Sequence, residues 1–278
     1  MKFGGNIQRH WDSPEEWAQL ALGMGYSAVY FPVNHTAPVG EIDAYVRAAK
    51  DAGLVIAEVG VWNNTLDPDA KKREENIAYA IHQLELADYV RANCCVNIAG
   101  GYNPTQWDGP HPDNLTPRAM EEITAVTQRI VDAVNPEYTA YTLEPMPWML
   151  PDTADSCLEL IRAVDRKGFG AHLDMVNVIS SPALYYRSGD VIREWFEKLG
   201  PYIRSCHAKD ISLGTTLTVH LDERRPGLGG LDYDAYLTCA NQLDDRVTFM
   251  LEHMTEEEDY IKATAWIKEK AAGLGINL

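Results

Sequence analysis

Four apolar runs in this chain each end on a side chain that can bind a metal, and their spacing constrains the fold more than any other feature. Tyr138 to Leu143 leads to Glu144, where Pro145 and Pro147 stop the strand. Ala171-His172-Leu173 ends at Asp174, Ser205-Cys206 at His207, and Phe249-Met250-Leu251 at Glu252. The intervals between these four residues are 30, 33 and 45 positions. One strand plus its crossover helix takes ~30 residues or slightly more. The four residues therefore fall on successive parallel strands and converge at one face of a closed barrel.

The same alternation runs from end to end. Strands are expected at 2–8, 28–33, 55–62, 94–99, 138–143, 169–173, 203–207 and 247–251, with helices between and after them. Helix starts are marked by Ser13-Pro14-Glu15-Glu16, Thr116-Pro117, and Asp152 or Thr153. Such a start combines a capping oxygen, proline at the first helical position and acids in the first turn. Residues 104–114 and 211–230 read as long loops. No linker or low-complexity tract divides the chain, so 1–278 is expected to be one α/β domain, a (β/α)8 TIM barrel. A doubly wound dinucleotide fold would need a glycine-rich phosphate turn after the first strand, and Gly4-Gly5 is not that pattern.

Charge and composition narrow the function. The net charge of −17 repels nucleic acid. The longest basic run, Lys71-Lys72-Arg73, is followed at once by Glu74-Glu75. No run of ~18 apolar residues suggests a membrane span. The start, Met1-Lys2-Phe3-Gly4, lacks a signal pattern, so the cytoplasm is the expected location. Five cysteines without CxxC spacing read as buried free thiols.

Two glutamates, one aspartate and one histidine form a mixed oxygen and nitrogen donor set. It suits a single divalent ion, Mn²⁺ first, with Mg²⁺, Co²⁺ or Zn²⁺ also compatible. Taken singly, each acid is as well explained by a helix cap or an ion pair. Four at successive strand ends favour a site. On Leu143-Glu144-Pro145, His172-Leu173-Asp174 and His207-Ala208-Lys209-Asp210, the chain resembles the xylose isomerase-like barrel superfamily. That superfamily includes sugar isomerases, ketose 3-epimerases, inosose dehydratases and C-glycoside-cleaving enzymes. The resemblance spans essentially the whole chain and implies that Glu144, Asp174, His207 and Glu252 bind one divalent ion.

Such an ion can chelate a carbonyl and its neighbouring hydroxyl and stabilise an enediolate after C–H proton loss. The resemblance further implies that Glu144 and Glu252 are the acid/base pair on opposite faces of the substrate. The leading expectation is a metal-dependent isomerase or epimerase of a small sugar, keto-sugar or inosose. The alternative is a lyase: an inosose-type dehydratase, or β-elimination from a 3-keto-glycoside. Two departures bear on this choice. Asn177 stands where 3-epimerases commonly carry a histidine, and His207 is followed by Lys209-Asp210 and a long loop with Arg224 and Arg225.

Lys209, Asn177, Trp148, Trp62, His172 and Arg224 are the candidate substrate-binding residues, with Trp107 also at the expected mouth. Lys209 alternatively pairs with Asp210 or another acid at the mouth, the tryptophans alternatively pack their own loops, and His172 alternatively is a core histidine. His253 is expected to point away from Glu252 and to be structural. Glu58, inside the third strand, is placed behind the ligands. The expected partner is a small-molecule sugar or keto-polyol, with a homo-oligomer or a partner subunit left open.

Overall fold

A computed structural model describes residues Met1 to Leu278. Eight parallel strands close into a barrel: β1 (Lys2–Gly5), β2 (Ala28–Tyr30), β3 (Val55–Gly60), β4 (Cys94–Asn97), β5 (Tyr141–Leu143), β6 (Phe169–Asp174), β7 (Ile203–Ala208) and β10 (Thr248–Leu251). Two further strands, β8 (Asp210–Leu213) and β9 (Leu221–Arg224), form an antiparallel hairpin outside the barrel. The outer layer is built by α1 (Pro14–Gly23), α2 (Val39–Asp51), α3 (Ala70–Tyr89), α4 (Pro117–Val134), α5 (Ala154–Val164), α6 (Pro182–Tyr185), α7 (Ser188–Leu199), α8 (Tyr233–Asn241) and α9 (Glu257–Gly273).

The expected helix starts are in place. Ser13 Oγ accepts from Glu16 N, Thr116 Oγ1 from Ala119 N, and Thr153 forms a capping box with Ser156. Between Asp152 and Thr153, the threonine is the cap.

β2, β3 and β4 end two or three residues earlier than expected, at Tyr30, Gly60 and Asn97. Three other boundaries differ for a visible reason. β5 begins at Tyr141 rather than Tyr138, because the N–H groups of Tyr138 and Thr139 donate to Asp88 Oδ1 instead of a strand ladder. β1 ends at Gly5, and beyond it Asn6 and Gln8 turn to bond Tyr260 and Met254. The stretch 211–230 is not a plain loop, since its two ends pair as the β8–β9 hairpin.

Apolar side chains packed between strands and helices form one continuous core. The barrel's own interior is more polar. Glu58, Thr142, His172, Ser205 and Thr248 are all essentially sealed from solvent there. Gly4 is required where β1 meets β2, since a Cβ at that position would sit 2.0 Å from the Ala28 carbonyl oxygen.

Candidate metal centre and active site

The ends of four adjacent strands, β5, β6, β7 and β10, deliver four side chains to one point. Parallel register places Asp174 beside His207 and His207 beside Met250, two positions before Glu252. Glu144 follows β5 directly, its N–H donating to the Asn97 carbonyl of β4. One ligand atom from each of Glu144, Asp174, His207 and Glu252 lies within 4.8 Å of the other three, and all four residues are buried.

Unmet bonding capacity shows what this cluster fits. Glu144 Oε2, Asp174 Oδ2, His207 Nδ1 and Glu252 Oε1 are buried without hydrogen-bond partners, although the Lys209 ammonium sits beside Asp174 Oδ2 and Glu252 Oε1 as an ion pair. His207 Nδ1 lies 3.1 Å from Glu144 Oε2 and 2.9 Å from Glu252 Oε1. Buried polar atoms are normally satisfied. Three carboxylate oxygens and an imidazole nitrogen turned on one point suit a hard or borderline divalent cation. These four residues would hold it.

Behind the ligands lies a second polar layer. His207 Nε2–H donates to Glu58 Oε2 at 3.3 Å, and His172 Nε2–H donates to Glu58 Oε1 at 3.1 Å. Ser205 Oγ–H also donates to Glu58 Oε1, at 2.5 Å. A carboxylate can only accept, so Glu58 puts the proton on His207 Nε2 and leaves Nδ1 as the atom that could bind a metal. Burial would raise the Glu58 carboxyl, but His172 and His207 outweigh it and hold its pKa well below the usual range. Burial likewise disfavours charge on His207, yet Glu252, Glu144 and Glu58 hold its pKa far above that of a free imidazole. Burial pushes the Asp174 carboxyl up to about 7, against Lys209, with Glu144 and Glu252 adding to the rise.

Lys209 is almost fully buried, and its ammonium forms ion pairs with Asp174, with Glu252 at 2.7 Å and with Glu223 at 3.3 Å. It does not pair with Asp210. Successive strand residues point to opposite sides. Asp210 instead accepts backbone N–H groups from Ile211, Gly227, Gly229 and Leu231, which fixes the return of the hairpin loop.

A cavity of about 650 Å³ opens over the cluster. Glu144, His207 and Glu252 form part of its wall, together with Asn177, Trp62 and Trp107. Asn177 Nδ2 donates to Glu144 Oε1 at 2.7 Å, so the amide holds the glutamate oxygen that is not turned into the cluster.

Four expected substrate contacts are corrected by their positions. His172 is wholly buried beneath the ligands, and Lys209 is committed to the three carboxylates. Trp148 stays off the cavity wall, and its indole N–H donates to the Asp108 carbonyl, which anchors the loop carrying Trp107 and Asp108. Arg224 lies on the exposed face of the hairpin, bonded to Ser212 and paired with Asp222.

His253 also differs from expectation. β10 stops at Leu251, and a φ of 58° at His253 turns the side chain back to the cavity. Its Nδ1 lies 3.1 Å from Glu223 Oε2, and its Nε2 3.5 Å from Glu252 Oε2. Glu223 carries no sequence signal, because its position depends on a hairpin that the sequence does not announce. Asn6 and Tyr30 could have been sought as the residues at the ends of β1 and β2; both line the cavity.

Fold and cluster together define a (β/α)8 barrel with a carboxylate–imidazole centre, able to take a metal, at the C-terminal ends of its strands. The chain belongs to the xylose isomerase-like TIM barrel family, whose sequence profile matches residues 18–270. Among solved structures it is similar to D-psicose 3-epimerase from Clostridium cellulolyticum H10, determined with D-tagatose. That match has 13% identity and a TM-score of 0.71 and covers 100% of both chains. The probable 3-DHS dehydratase AsbF of Bacillus anthracis matches at 18% identity and TM-score 0.69, over 96% of this chain and 98% of its own. A xylose isomerase-like TIM barrel protein from Mycobacterium smegmatis, in complex with magnesium, matches at 16% identity and TM-score 0.68, over 97% and 92%. At these identities the likeness is one of fold. A sequence search of curated proteins finds no match. No helix is long and apolar enough to cross a membrane.

Proposed function

We propose that this chain is a divalent-metal-dependent isomerase or epimerase of a small sugar, keto-sugar or inosose, with Glu144 and Glu252 as its acid/base pair. One observation carries the reading. Each glutamate turns one oxygen into the orphaned cluster and keeps the other apart, Glu144 Oε1 at Asn177 and Glu252 Oε2 near His253. Both line the same cavity, so a ligand seated there meets two carboxylates from non-adjacent strands.

Glu144, Asp174, His207 and Glu252 would hold the ion, for which Mn²⁺ is the first choice. When bound, it supplies Lewis-acid polarisation of a carbonyl and its neighbouring hydroxyl. The rest of the chemistry belongs to the chain. One glutamate takes the proton from the carbon next to the carbonyl, and the other returns a proton to the opposite face. Asn177 orients Glu144. Lys209 offsets part of the charge of Asp174 and Glu252. Glu58 fixes the tautomer of His207.

The test incubates Mn²⁺-loaded protein with ketohexoses, inososes and 3-keto-glycosides in D₂O, with Glu144→Gln and Glu252→Gln as controls. Deuterium entering a product of unchanged carbon skeleton, lost in both variants, supports the reading. Loss of water or of an aglycone assigns a lyase instead. No exchange and no retained metal overturns both.

A further inference from the structure

The wall of the cavity carries information about the substrate that the metal cluster does not. No lysine or arginine lines it. The nearest cation, Lys209, is buried among Asp174, Glu223 and Glu252. Arg224 bonds Ser212, and Arg225 pairs with Asp259. Four acids, Glu58, Asp108, Glu144 and Glu252, do line the cavity, in a chain of net charge −17. The two histidines on the wall already face carboxylates, His207 those of Glu144 and Glu252 and His253 those of Glu223 and Glu252. A phosphate or carboxylate on the substrate would meet like charge with no lysine or arginine to receive it.

Aromatic surface is placed there instead. The chain has seven tryptophans, and the two that are more than a third exposed, Trp62 at 43% and Trp107 at 37%, both line this cavity. Phe31, Val33, Tyr79 and Met146 continue the apolar wall. Trp62 is held in a strained backbone with φ of 50°, and its indole lies back over Gly60. A Cβ on Gly60 would come within 2.3 Å of the indole Nε1. The ring is also stacked toward the ligand histidine, 6.3 Å from His207 at an interplanar angle of 28°. Left-handed backbone at a bulky residue persists where the surroundings enforce it, and such positions cluster at ligand clamps. A volume of about 650 Å³ is in the range that encloses a drug-sized ligand, more than a single six-carbon ring needs.

We propose that the substrate is an uncharged glycoside with a ketone on its sugar ring, the ring facing the Glu144–Glu252 cluster and a flat apolar aglycone packing on Trp62 and Trp107. The proposal rests on the sugar-transforming reading of the same cavity and specifies its substrate class. Aromatic faces present a large apolar area with a preferred stacking geometry. Burying a phenyl group against them is expected to tighten binding about tenfold.

The test measures dissociation constants by calorimetry on Mn²⁺-loaded protein, using phenyl β-D-glucoside, methyl β-D-glucoside and D-glucose 6-phosphate. The phenyl glycoside should bind about tenfold more tightly than the methyl glycoside, and the phosphate ester more weakly than either. Trp62→Ala and Trp107→Ala, both at exposed positions, should each reduce the phenyl-to-methyl ratio several-fold. Saturation-transfer NMR should show contact to the phenyl protons in the wild type. Equal affinities, absence of phenyl glycoside binding at millimolar concentration, or tighter binding of the phosphate ester overturns the proposal. The ratio is read without turnover, so it is separable from the reaction. Failure of deuterium exchange with the ratio intact rejects the chemistry and keeps the subsite, and the reverse result rejects the subsite alone.

Discussion

Glu58 holds His207 from behind. Its Oε2 lies 3.3 Å from His207 Nε2, while Nδ1 on the other side of the ring faces Glu144 and Glu252. The tautomer of a ligand histidine is set by this kind of outer partner. Glu58→Gln should therefore weaken Mn²⁺ binding by roughly 10–100-fold while leaving the circular dichroism spectrum unchanged. Calorimetric titration of the variant gives the ratio. An affinity equal to that of the wild type would show that Glu58 does not orient the ligand.

The four clustered donor atoms predict that metal stabilises the fold. At a thousandfold excess over its dissociation constant, a ligand specific to the native state contributes about 4 kcal/mol. For a chain of this size that corresponds to a rise in Tm of roughly 8–16 °C. Thermal melts with Mn²⁺ and with a chelator should differ by this amount. The difference should vanish in Asp174→Asn combined with His207→Ala. A Tm indifferent to chelation would mean that the cluster does not bind the ion.

Asp210 predicts a local failure. Its two oxygens accept N–H groups from Gly227, Gly229 and Leu231, all in the segment returning from the hairpin. Hydrogen bonds to a charged group are worth about 1.5–3 kcal/mol each and do not add fully. Asp210→Ala should destabilise the protein by about 3 kcal/mol, or roughly 6–12 °C in Tm. Limited proteolysis should then cut first between residues 214 and 230. Unchanged cleavage would locate the order of this loop elsewhere.

The cysteines make a prediction in solution chemistry. Burial pushes the Cys157 thiol up to about 12 and raises Cys94, Cys95 and Cys206 further. Cys239 is only half-buried, and burial raises it less. The thiolate is the reactive form. At pH 8 an aromatic disulfide reagent should titrate one thiol in the native protein and five in denaturant. A second fast thiol without denaturant would contradict the sealed core.

The barrel and the four clustered strand-end residues were legible because both are encoded by period. A strand, a helix and a polar strand end recur at intervals that a closed parallel sheet accommodates, and Gly4-Gly5 is not the phosphate turn of the open alternative. What was not legible depends on neighbours in space. Lys209 has no pattern that tells an ion pair with Asp210 from one with Asp174 and Glu252, until the strand's alternation is fixed in three dimensions. His253 reads as outward only if β10 continues, and the left-handed residue that turns it inward has no sequence mark other than the absence of glycine. Trp148 follows the fifth strand and Arg224 lies in the loop after His207, and sequence position alone marks both as candidate substrate contacts. Such a position places a residue near the mouth but does not aim its side chain. Glu223 reaches Lys209 and His253 only through the β8–β9 pairing, a contact made across a hairpin whose turn residues give no strong signal.

The ligand-bearing strands β5, β6, β7 and β10 occupy one contiguous arc of the barrel, while Phe31, Trp62 and Trp107 follow β2, β3 and β4 on the other. The carboxylates that would carry the reaction and these three aromatic side chains thus stand on separate strands. Substitutions after β2 to β4 would therefore reshape the pocket while leaving Glu144, Asp174, His207 and Glu252 in place.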